Sequence, residues 1–454
     1  MLKDLKGLSL FVIAIVCRLP FLWAGYGKEF DAWSNALNAR VISETGVYEV
    51  SRLPGHPLQE MLLSLLWPLN HSYFIFNFLS TLVSAFAVWT FFEILKKHKV
   101  DQAWYWALAF SFIPVFFIAG TYTIDYNFAL CFVLLAYLAL LKGNYWLVGL
   151  FIGIATGFRI SSLGFLLPFA LLLGWNFKAL LQMGFLALGI SVLAFYLPFE
   201  TYGWTFLDFH KPPFPGWASV LYKLSIGIWG LPLLILVLIA AWNLIKHPAK
   251  ADLPKHLKGL AWPWFLAFII GLQLLVFMRL PFKAEFFIPA LPFIILSLAA
   301  HSKPSMARWA AYTSMASVLF FGFDYKNPWR GATPLDYHWE FKAGSQIIYC
   351  SPFQGPITID QSKRKVRSKT VEKSIELLQE NERALVVAGW YWPELIFKYP
   401  EHPHQIVHYS SQAQLDSAQK AGMRILYLPE IGAQNAIMEG HQQLEEIGQA
   451  ILEP

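Results

Sequence analysis

Apolar runs of helical length follow one another from the start of the chain to about residue 322, and polar stretches separate them. A helix needs roughly 20 apolar residues to cross the hydrocarbon of a bilayer. The pair 145–158 and 160–175 is interrupted by Gly153, Gly157 and Arg159, and one broken hairpin is an alternative for it. We predict eleven membrane spans, several of them short, at residues 7–25, 73–95, 102–119, 126–142, 145–158, 160–175, 179–198, 222–245, 261–278, 284–300 and 306–322.

The pattern changes after residue 323, where the chain becomes polar and mixed. The stretches SQIIYC, RALVVAGW, QIVHYS and RILYLPE predict short strands, and residues 368–381 and 411–421 predict helices. Ser411 and Gln414 form a capping-box pattern at the start of the second helix. Strands that alternate with helices are typical of α/β structure. We therefore predict a transmembrane catalytic domain at 1–323 and a small soluble α/β domain at 324–454.

The composition supports a mainly α, polytopic membrane protein. The chain of 454 residues is 56% hydrophobic and 14% charged, whereas soluble domains are about 45–50% apolar and about 25% charged. The net charge of +6 lies largely in short loops between apolar segments, so it does not indicate binding to nucleic acid. Three scattered cysteines do not form a disulfide framework. The sequence has no P-loop and no HExxH motif, which argues against ATP-driven transport and zinc proteolysis.

Lysine and arginine are enriched in the cytoplasmic loops of membrane proteins. With a cytoplasmic N-terminus, an uncleaved first span and eleven spans in all, the C-terminal domain is extracytoplasmic. The composition is typical of a bacterial inner membrane. The outer loop 26–72 then contains an apolar stretch at 57–69 that is too short to span, and we predict an interfacial helix there. The inner set of cations is Lys3, Lys6, the KKHK stretch at 96–99, Lys142, Lys178, the loop 246–258, Lys303 and Arg308.

Ionisable residues collect at the predicted outer membrane face. Charge near the hydrocarbon is costly and by default indicates function. Carboxylates mixed with cations predict a site that handles an anionic group and has acids available to move a proton. The set is Glu29, Asp31, Arg40, Arg52, His56, Asp125, Arg159, Arg279, Lys283 and Glu285.

Several of these residues also have a purely structural interpretation. Asp31 could be a solvated loop acid or a helix cap, and Asp125 could cap the helix that follows it. Arg159 could be an interfacial anchor, and Lys283 could pair with Glu285 within one segment.

Three further residues have two interpretations each. Arg52 and His56 could be site residues or could only shape a Pro-Gly turn. Trp33 could stack on a sugar or belong to the membrane interface. Outside the set, Arg18 is predicted to extend its charge to the membrane surface.

The order of several motifs resembles one family. Glu29 and Asp31 follow the first span, GVYEVSRLPGHP occupies 46–57, and Asp125 opens the fourth span. GLFIGIATGFRISSLGFLLP follows at 149–168 and RLPFKAEFFIPALPFIIL at 279–296. Over about residues 1–322 this order resembles the C-type (GT-C) membrane glycosyltransferases, in the branch of protein O-mannosyltransferases and lipid A aminoarabinose transferases.

The resemblance implies an inverting transfer of a sugar from a polyprenyl-phosphate donor to an acceptor on the extracytoplasmic face. Asp31 would be the catalytic base, with Glu29 and Asp125 supporting it. Asp31 and Asp125 would be the ligands of a divalent metal ion (Mg, Mn or Zn), if one is used. Cations would hold the carrier phosphate, namely Arg159, Arg279 and Lys283.

Two other function classes stay open. A lipid-carrier enzyme of the O-antigen ligase or polymerase type would depend on different outer-loop residues. A transporter or flippase would place charges near mid-membrane and often contain an internal repeat, whereas here the charges lie at one face. The sequence leaves open which sugar is moved and whether the acceptor is a protein, a glycolipid or a cell-wall polymer.

Overall fold

The computed structural model describes residues 5–174, 176–208, 214–246, 257, 262–325, 337–343, 346–381, 383–429, 431 and 450–451. Most of the first 320 residues are helical. Short 3₁₀ helices occur in this part at Leu19–Phe21, Ile160–Phe165, Gly203–Leu207 and Ala284–Ala290, and another follows later in the chain at Gly389–Tyr391. The α-helices of this part are α1 (Leu5–Val16), α2 (Phe30–Thr45), α3 (Pro57–Leu66), α4 (Tyr73–Lys97), α5 (Ala103–Ser111), α6 (Pro114–Ala119), α7 (Tyr126–Leu141), α8 (Tyr145–Phe158), α9 (Leu166–Leu172), α10 (Phe177–Tyr202), α11 (Trp217–Leu224), α12 (Ile226–Trp229), α13 (Leu231–Lys246), α14 (Trp262–Arg279), α15 (Leu291–Ala299) and α16 (Pro304–Leu319).

Three helical segments of the described chain are long and apolar enough to cross a membrane, at Tyr73–Lys97, Phe177–Leu207 and Trp262–Arg279. A fourth is added if Trp217–Trp229 and Leu231–Asn243, which meet at 94°, count as one bent span. The other predicted spans coincide with shorter or broken helices, so the number eleven stays a prediction. Residues 247–256 of the predicted inner loop, and Lys3, lie outside the described residues.

The first predicted span is interrupted at Arg18, whose side chain is fully buried. The α-helix ends at Val16, and the guanidinium turns inward to donate to Ala14 O (2.8 Å) and Ser111 O (2.7 Å). Ser111 is the last residue of α5, and carbonyls at a helix end have no partner within the helix. Arg18 takes up one of them, so the prediction that its charge reaches the membrane surface is wrong.

The outer loop 26–72 contains a helix that the sequence pattern does not predict. α2 begins after Glu29, which has an extended backbone, and ends at Gly46 with a left-handed φ of 71°. A glycine in that conformation is a common helix terminator. The helix has no apolar stripe, because its buried face is built of small residues such as Ala32 and Ala36. Asp31 is therefore a residue of the first helical turn and not of a loop.

After α16 the chain alternates strands with helices. β1, β3 and β2 form an antiparallel sheet in that order, and β5, β4, β6 and β7 form a parallel sheet. The elements are β1 (Gly322–Tyr325), β2 (Trp339–Ala343), β3 (Gln346–Ser351), α17 (Pro356–Gln379), β4 (Ala384–Val387), α18 (Trp392–Lys398), β5 (Gln405–Val407), α19 (Gln412–Lys420), β6 (Arg424–Tyr427) and β7 (Ala450–Ile451).

Two helices of this C-terminal part differ in how well the sequence predicts them. α19 has the predicted capping box of Ser411 and Gln414. α17 begins at Pro356, well before the predicted start at 368. Its first turns bury Asp360 and Arg364, so an apolar periodicity is missing there and the helix start is not visible in the pattern.

The C-terminal part packs directly on the outer loop. Phe397 of α18 meets Trp33 of α2 edge to face at 5.6 Å, and it also packs against Tyr26 and Trp67. Arg40 of α2 donates to the carbonyl of Phe397 at 3.2 Å. These contacts hold α2, which carries Asp31, between the helical bundle and the C-terminal part.

Candidate functional site

Asp125 lies immediately before α7 and is fully buried. Arg52 Nη2 donates to one carboxylate oxygen at 2.7 Å, and Arg159 Nη1 donates to the other. Burial alone would raise the pKa of Asp125, but Arg159 and Arg52 outweigh burial and hold the pKa well below its usual range. Asp125 occupies the N-cap position of α7, but its side chain makes no capping hydrogen bond, so capping does not account for the carboxylate.

Arg159 follows the last residue of α8 and turns into the protein. Its backbone is extended there, with a φ of −151°. The guanidinium lies 4.1 Å from the ring centre of Tyr126 and 5.0 Å from that of Phe286. Only 10% of the side chain is exposed. Arg159 is thus held by Asp125 and two aromatic faces, so it is not an interfacial anchor.

Asp31 connects two cations at the start of α2. Its Oδ2 accepts from Lys283 Nζ and lies 3.4 Å from Arg52 Nη1. Burial would raise the pKa of Asp31, but Arg52 and Lys283 hold it below its ordinary value. Because Arg52 reaches both Asp31 and Asp125, the two carboxylates share one guanidinium between them.

Lys283 enters the site from the loop between α14 and the 3₁₀ helix Ala284–Ala290. Besides Asp31, its Nζ lies 3.5 Å from Glu29 Oε2. Lys283 therefore pairs with the start of α2, and the alternative in which it pairs with Glu285 is wrong for the described residues. Glu285 instead accepts from the hydroxyl of Tyr122 at 3.5 Å.

The structure thus brings together residues from five segments of the chain that sequence reasoning assigned to one site. Four predicted candidates are not part of this cluster. Arg40 contacts the carbonyl of Phe397 and Glu285 contacts Tyr122. Arg279 is exposed at the end of α14, and Trp33 is buried, with its Nε1 donating to Gly27 O at 3.0 Å. The residues that meet are Glu29, Asp31, Arg52, His56, Asp125, Arg159 and Lys283.

Glu60 on α3 is a residue of this region that sequence reasoning missed. It is fully buried and accepts from Tyr48 Oη at 2.6 Å and from Ser51 N at 2.8 Å. Burial raises the pKa of Glu60. Since Ser51 precedes Arg52, Glu60 holds the backbone from which the shared guanidinium extends. The available signal was a single acid within the apolar stretch 57–69.

The predicted metal ligands do not fit a divalent cation. Asp31 and Asp125 face three cations, Arg52, Arg159 and Lys283. A metal ion bound there would lie close to these positive charges, which already engage both oxygens of Asp125 and Oδ2 of Asp31. Within the described ranges no group of three or more His, Cys, Asp and Glu side chains is placed to hold a metal ion.

His56 is buried beside Asp125 and is neutral. Its Nδ1 lies 2.7 Å from the carbonyl of Phe158, and an acceptor there requires the proton on Nδ1. Burial and the neighbouring Arg52 lower the pKa of His56 to about 3. Its 3.4 Å approach to Asp125 is consequently not an ionic pair at neutral pH.

Acidification below the ordinary histidine pKa should destabilise the protein through His56. The unfolded chain binds a proton with a pKa near 6.5, whereas the folded chain binds it only near pH 3. The contribution of His56 to the free energy of unfolding is therefore fully present above about pH 6.5 and is lost as the pH falls below that value. Between pH 7.5 and 5 the free energy of unfolding should drop by about 2 kcal/mol.

Unfolding in detergent at both pH values measures this loss. His56→Gln should lack this part of the pH dependence, and His338→Gln, at a partly exposed position, should keep it. An equal pH dependence in wild type and His56→Gln would contradict the assignment.

Comparison with known proteins identifies the fold. No protein-family model matches the chain, and no curated protein matches it. The crystal structure of ArnT from Cupriavidus metallidurans bound to undecaprenyl phosphate matches with a TM-score of 0.53 and 12% identity, over 98% of this chain and 89% of ArnT. The structure of ArnT in the apo state gives a TM-score of 0.43 and 11% identity, over 96% and 91%.

The chain has a GT-C fold. With its apolar helices, this fold makes the chain an integral membrane protein. The predicted mainly helical architecture is confirmed at this level. An identity of 12% shows the fold alone, so the donor, the acceptor and the roles of the site residues are the subject of a proposal.

Proposed function

We propose that the chain is an inverting glycosyltransferase that moves a sugar from a polyprenyl-phosphate donor to an acceptor at the extracytoplasmic face of a bacterial inner membrane. One observation carries the proposal. On a GT-C fold, Asp31 meets Arg52 and Lys283 at a point where all three side chains are still partly exposed, at 15%, 19% and 23%. A base and two phosphate-binding cations are thus within reach of one substrate.

Asp31 suits the role of base better than Asp125 does. Asp125 is fully buried and both its oxygens are engaged by arginines. Its role is to hold Arg52 and Arg159 in place. Asp31 has solvent access and a single well-formed hydrogen-bond donor in Lys283, so an acceptor hydroxyl can approach it. Glu29, next to Lys283, supports this pair.

The cations of the site suit a departing phosphate. Guanidinium groups bind phosphate through two parallel hydrogen bonds, and preorganised positive charge stabilises a leaving anion. We assign Arg52 and Lys283 to the carrier phosphate, with Arg159 beside them. The exposed Arg279 lies on the same segment of chain as Lys283 and is assigned to the incoming phosphate.

The reaction is a single displacement. The acceptor hydroxyl oxygen attacks the anomeric carbon and forms the new glycosidic bond. Its proton goes to Asp31, and the bond from the anomeric carbon to the phosphate oxygen breaks, so that polyprenyl phosphate leaves with the electron pair. One displacement inverts the anomeric configuration, and no covalent intermediate with the protein is required.

Donor binding also activates the base. The carrier phosphate competes with Asp31 for Lys283 and Arg52, the two cations that depress the pKa of Asp31. When the phosphate takes them, the pKa of Asp31 rises towards its ordinary value. The carboxylate becomes a stronger base only when a donor is present.

A transfer assay tests the function. The purified protein is incubated with radiolabelled polyprenyl-phosphate sugars and a membrane extract as acceptor. We expect label from one donor to enter the extract and free polyprenyl phosphate to appear in equal amount. Transfer only from polyprenyl-diphosphate donors would favour a ligase or polymerase. The proposal fails if no donor is used and undecaprenyl phosphate does not bind.

Lys283→Met should weaken the binding of undecaprenyl phosphate by about 10- to 100-fold, because a hydrogen bond to a charged group contributes about 1.5–3 kcal/mol. Quenching of intrinsic fluorescence or native mass spectrometry measures the dissociation constant. Lys303→Met is the matched control, since this exposed lysine lies just before α16, on the predicted inner face and away from the site. Equal affinities in Lys283→Met and wild type would remove Lys283 from the phosphate site.

A further inference from the structure

The helix α17 of the C-terminal part contacts both segments that carry the carboxylates of the site. Gln361 Nε2 donates to Phe21 O at 3.1 Å, in the chain that leads to α2. Arg367 Nη1 donates to Lys28 O at 3.3 Å, directly before Glu29. These contacts tie a helix distant in sequence to the backbone that enters α2.

Arg364 connects α17 to the segment before Asp125. The side chain is fully buried, and it donates to Thr121 O at 3.0 Å and Thr121 Oγ1 at 2.8 Å. Its guanidinium lies 5.1 Å from the ring centre of Tyr122. The hydroxyl of that tyrosine points to Glu285.

Asp360 connects the two segments through one carboxylate. Its Oδ2 lies 2.5 Å from Arg364 Nη2, one turn further along α17, and its Oδ1 lies 3.0 Å from Lys28 Nζ. Asp360 is 1% exposed, so its carboxylate is shielded from water, whereas Lys28 reaches it from a partly exposed position. Lys28, Asp360 and Arg364 thus form a continuous charge-paired bridge, which we call the α17 bridge.

The two segments also contact each other where the α17 bridge covers them. Thr123 N donates to Tyr26 O at 3.0 Å, and Asn35 Nδ2 of α2 lies 3.4 Å from Thr123 O. At Gly27 a Cβ atom would lie 2.8 Å from the ring of Tyr122, so the segments pack too closely for any side chain there. A small shift of one segment is therefore transmitted to the other.

We infer that Asp360 and Arg364 are positioning residues of the active site: the α17 bridge sets the distance between Asp31 and Asp125. The inference deepens the proposed transferase function and rests on it for its kinetic test. A buried ion pair contributes little to stability, because desolvation offsets its Coulomb attraction, and a fixed geometry is one reason to retain it. Displacement of reacting groups by about 1 Å can cost about 100-fold in rate.

A double-mutant cycle on Lys28 and Asp360 tests the inference. Lys28→Met and Asp360→Asn should each lower kcat at least about tenfold while the KM for the donor changes less than about threefold. The double variant should be no slower than the slower single variant, because both changes break one connection. Lys28→Arg should recover part of kcat, since it keeps the charge. Lys28 is 26% exposed, so its substitution leaves the buried part of α17 intact.

The matched control is Lys363→Met. Lys363 precedes Arg364 on α17 and pairs with Asp324 on β1 at 3.0 Å, away from the catalytic segments. It should keep the wild-type kcat. A loss in Lys363→Met equal to that in Asp360→Asn, or a kcat within twofold of wild type in Asp360→Asn and Lys28→Met, would overturn the inference.

Hydrogen exchange decides the inference independently of activity. In Asp360→Asn the amides of residues 25–31 and 121–126 should exchange about fivefold faster or more, because local opening governs exchange. In Lys363→Met they should exchange at the wild-type rate. Unchanged exchange of both segments in Asp360→Asn would overturn the α17 bridge. If the wild type transfers no sugar, the proposed function fails while this measurement still judges the bridge.

Discussion

Asp31→Asn should lower kcat for sugar transfer by about 10²–10⁴-fold, the usual contribution of a positioned general base. Asparagine has nearly the same shape, and its side-chain oxygen can still accept from Lys283. It cannot accept the proton of the acceptor hydroxyl. The cations remain satisfied in part, because Arg52 keeps Asp125 and Lys283 keeps Glu29. The fold should therefore survive.

Although kcat should fall in Asp31→Asn, the affinity for the donor should stay the same or increase. In the wild type the carrier phosphate competes with the Asp31 carboxylate for Lys283 and Arg52. Without that charge the phosphate has less competition, so the dissociation constant of undecaprenyl phosphate should be equal or lower in Asp31→Asn. A low kcat combined with retained donor binding separates a lost base from a damaged site.

Kinetics of Asp31→Asn, Glu29→Gln and Glu44→Gln measure this result. Glu44 is an exposed acid near the other end of α2 and serves as the matched control with wild-type kcat. If Asp31→Asn turned over within threefold of wild type while Glu29→Gln lost activity, the base would be Glu29. If both variants kept their rate, neither residue would be the base.

Asp125→Leu should lower the free energy of unfolding by about 3–5 kcal/mol, the usual cost of removing one partner from a buried ion pair. The change leaves Arg52 and Arg159 without their common carboxylate in a site that is nearly closed to water. Most of the cost comes from this uncompensated positive charge. Asp125→Leu/Arg159→Met should recover part of the lost stability, because it removes one of the two charges.

Unfolding of the purified variants in mixed detergent measures the loss. Glu93→Gln is the control, since Glu93 and Lys96 form an ion pair that is 33% and 42% exposed, and such pairs contribute about 0–1 kcal/mol. A loss below about 1 kcal/mol in Asp125→Leu would mean that the network around Asp125 does not stabilise the fold.

Many residues of the candidate site can be predicted from the order of residues along the chain. An ionisable side chain in or near the hydrocarbon of a membrane is energetically costly, so ionisable residues beside apolar runs are conspicuous in the sequence. The distribution of cations among the loops then placed Asp31, Asp125, Arg159 and Lys283 on one side before any contact was known. Their chemical roles stay predictions. The GT-C resemblance drawn from ordered motifs agrees with the fold.

The positions of most helices and of the strands β3, β4, β5 and β6 agree with the predictions, because hydrophobic runs of characteristic length encode them. The strands β1, β2 and β7 were not predicted. The sequence did not predict α2, because alanines, asparagines and a serine make up most of its buried positions and no continuous apolar stripe results. It likewise placed the start of α17 too late, since charged residues occupy the buried positions there.

Which charges pair is visible only from the tertiary contacts. Arg18, Arg52 and Arg364 each have a partner far away along the chain, at Ser111, Asp125 and Thr121 respectively. A hydrogen bond depends on distance and direction within a few tenths of an ångström, and hydropathy and motif order contain no such information. For the same reason the sequence placed a cation near each carboxylate but did not show that a helix of the C-terminal part holds their two segments together.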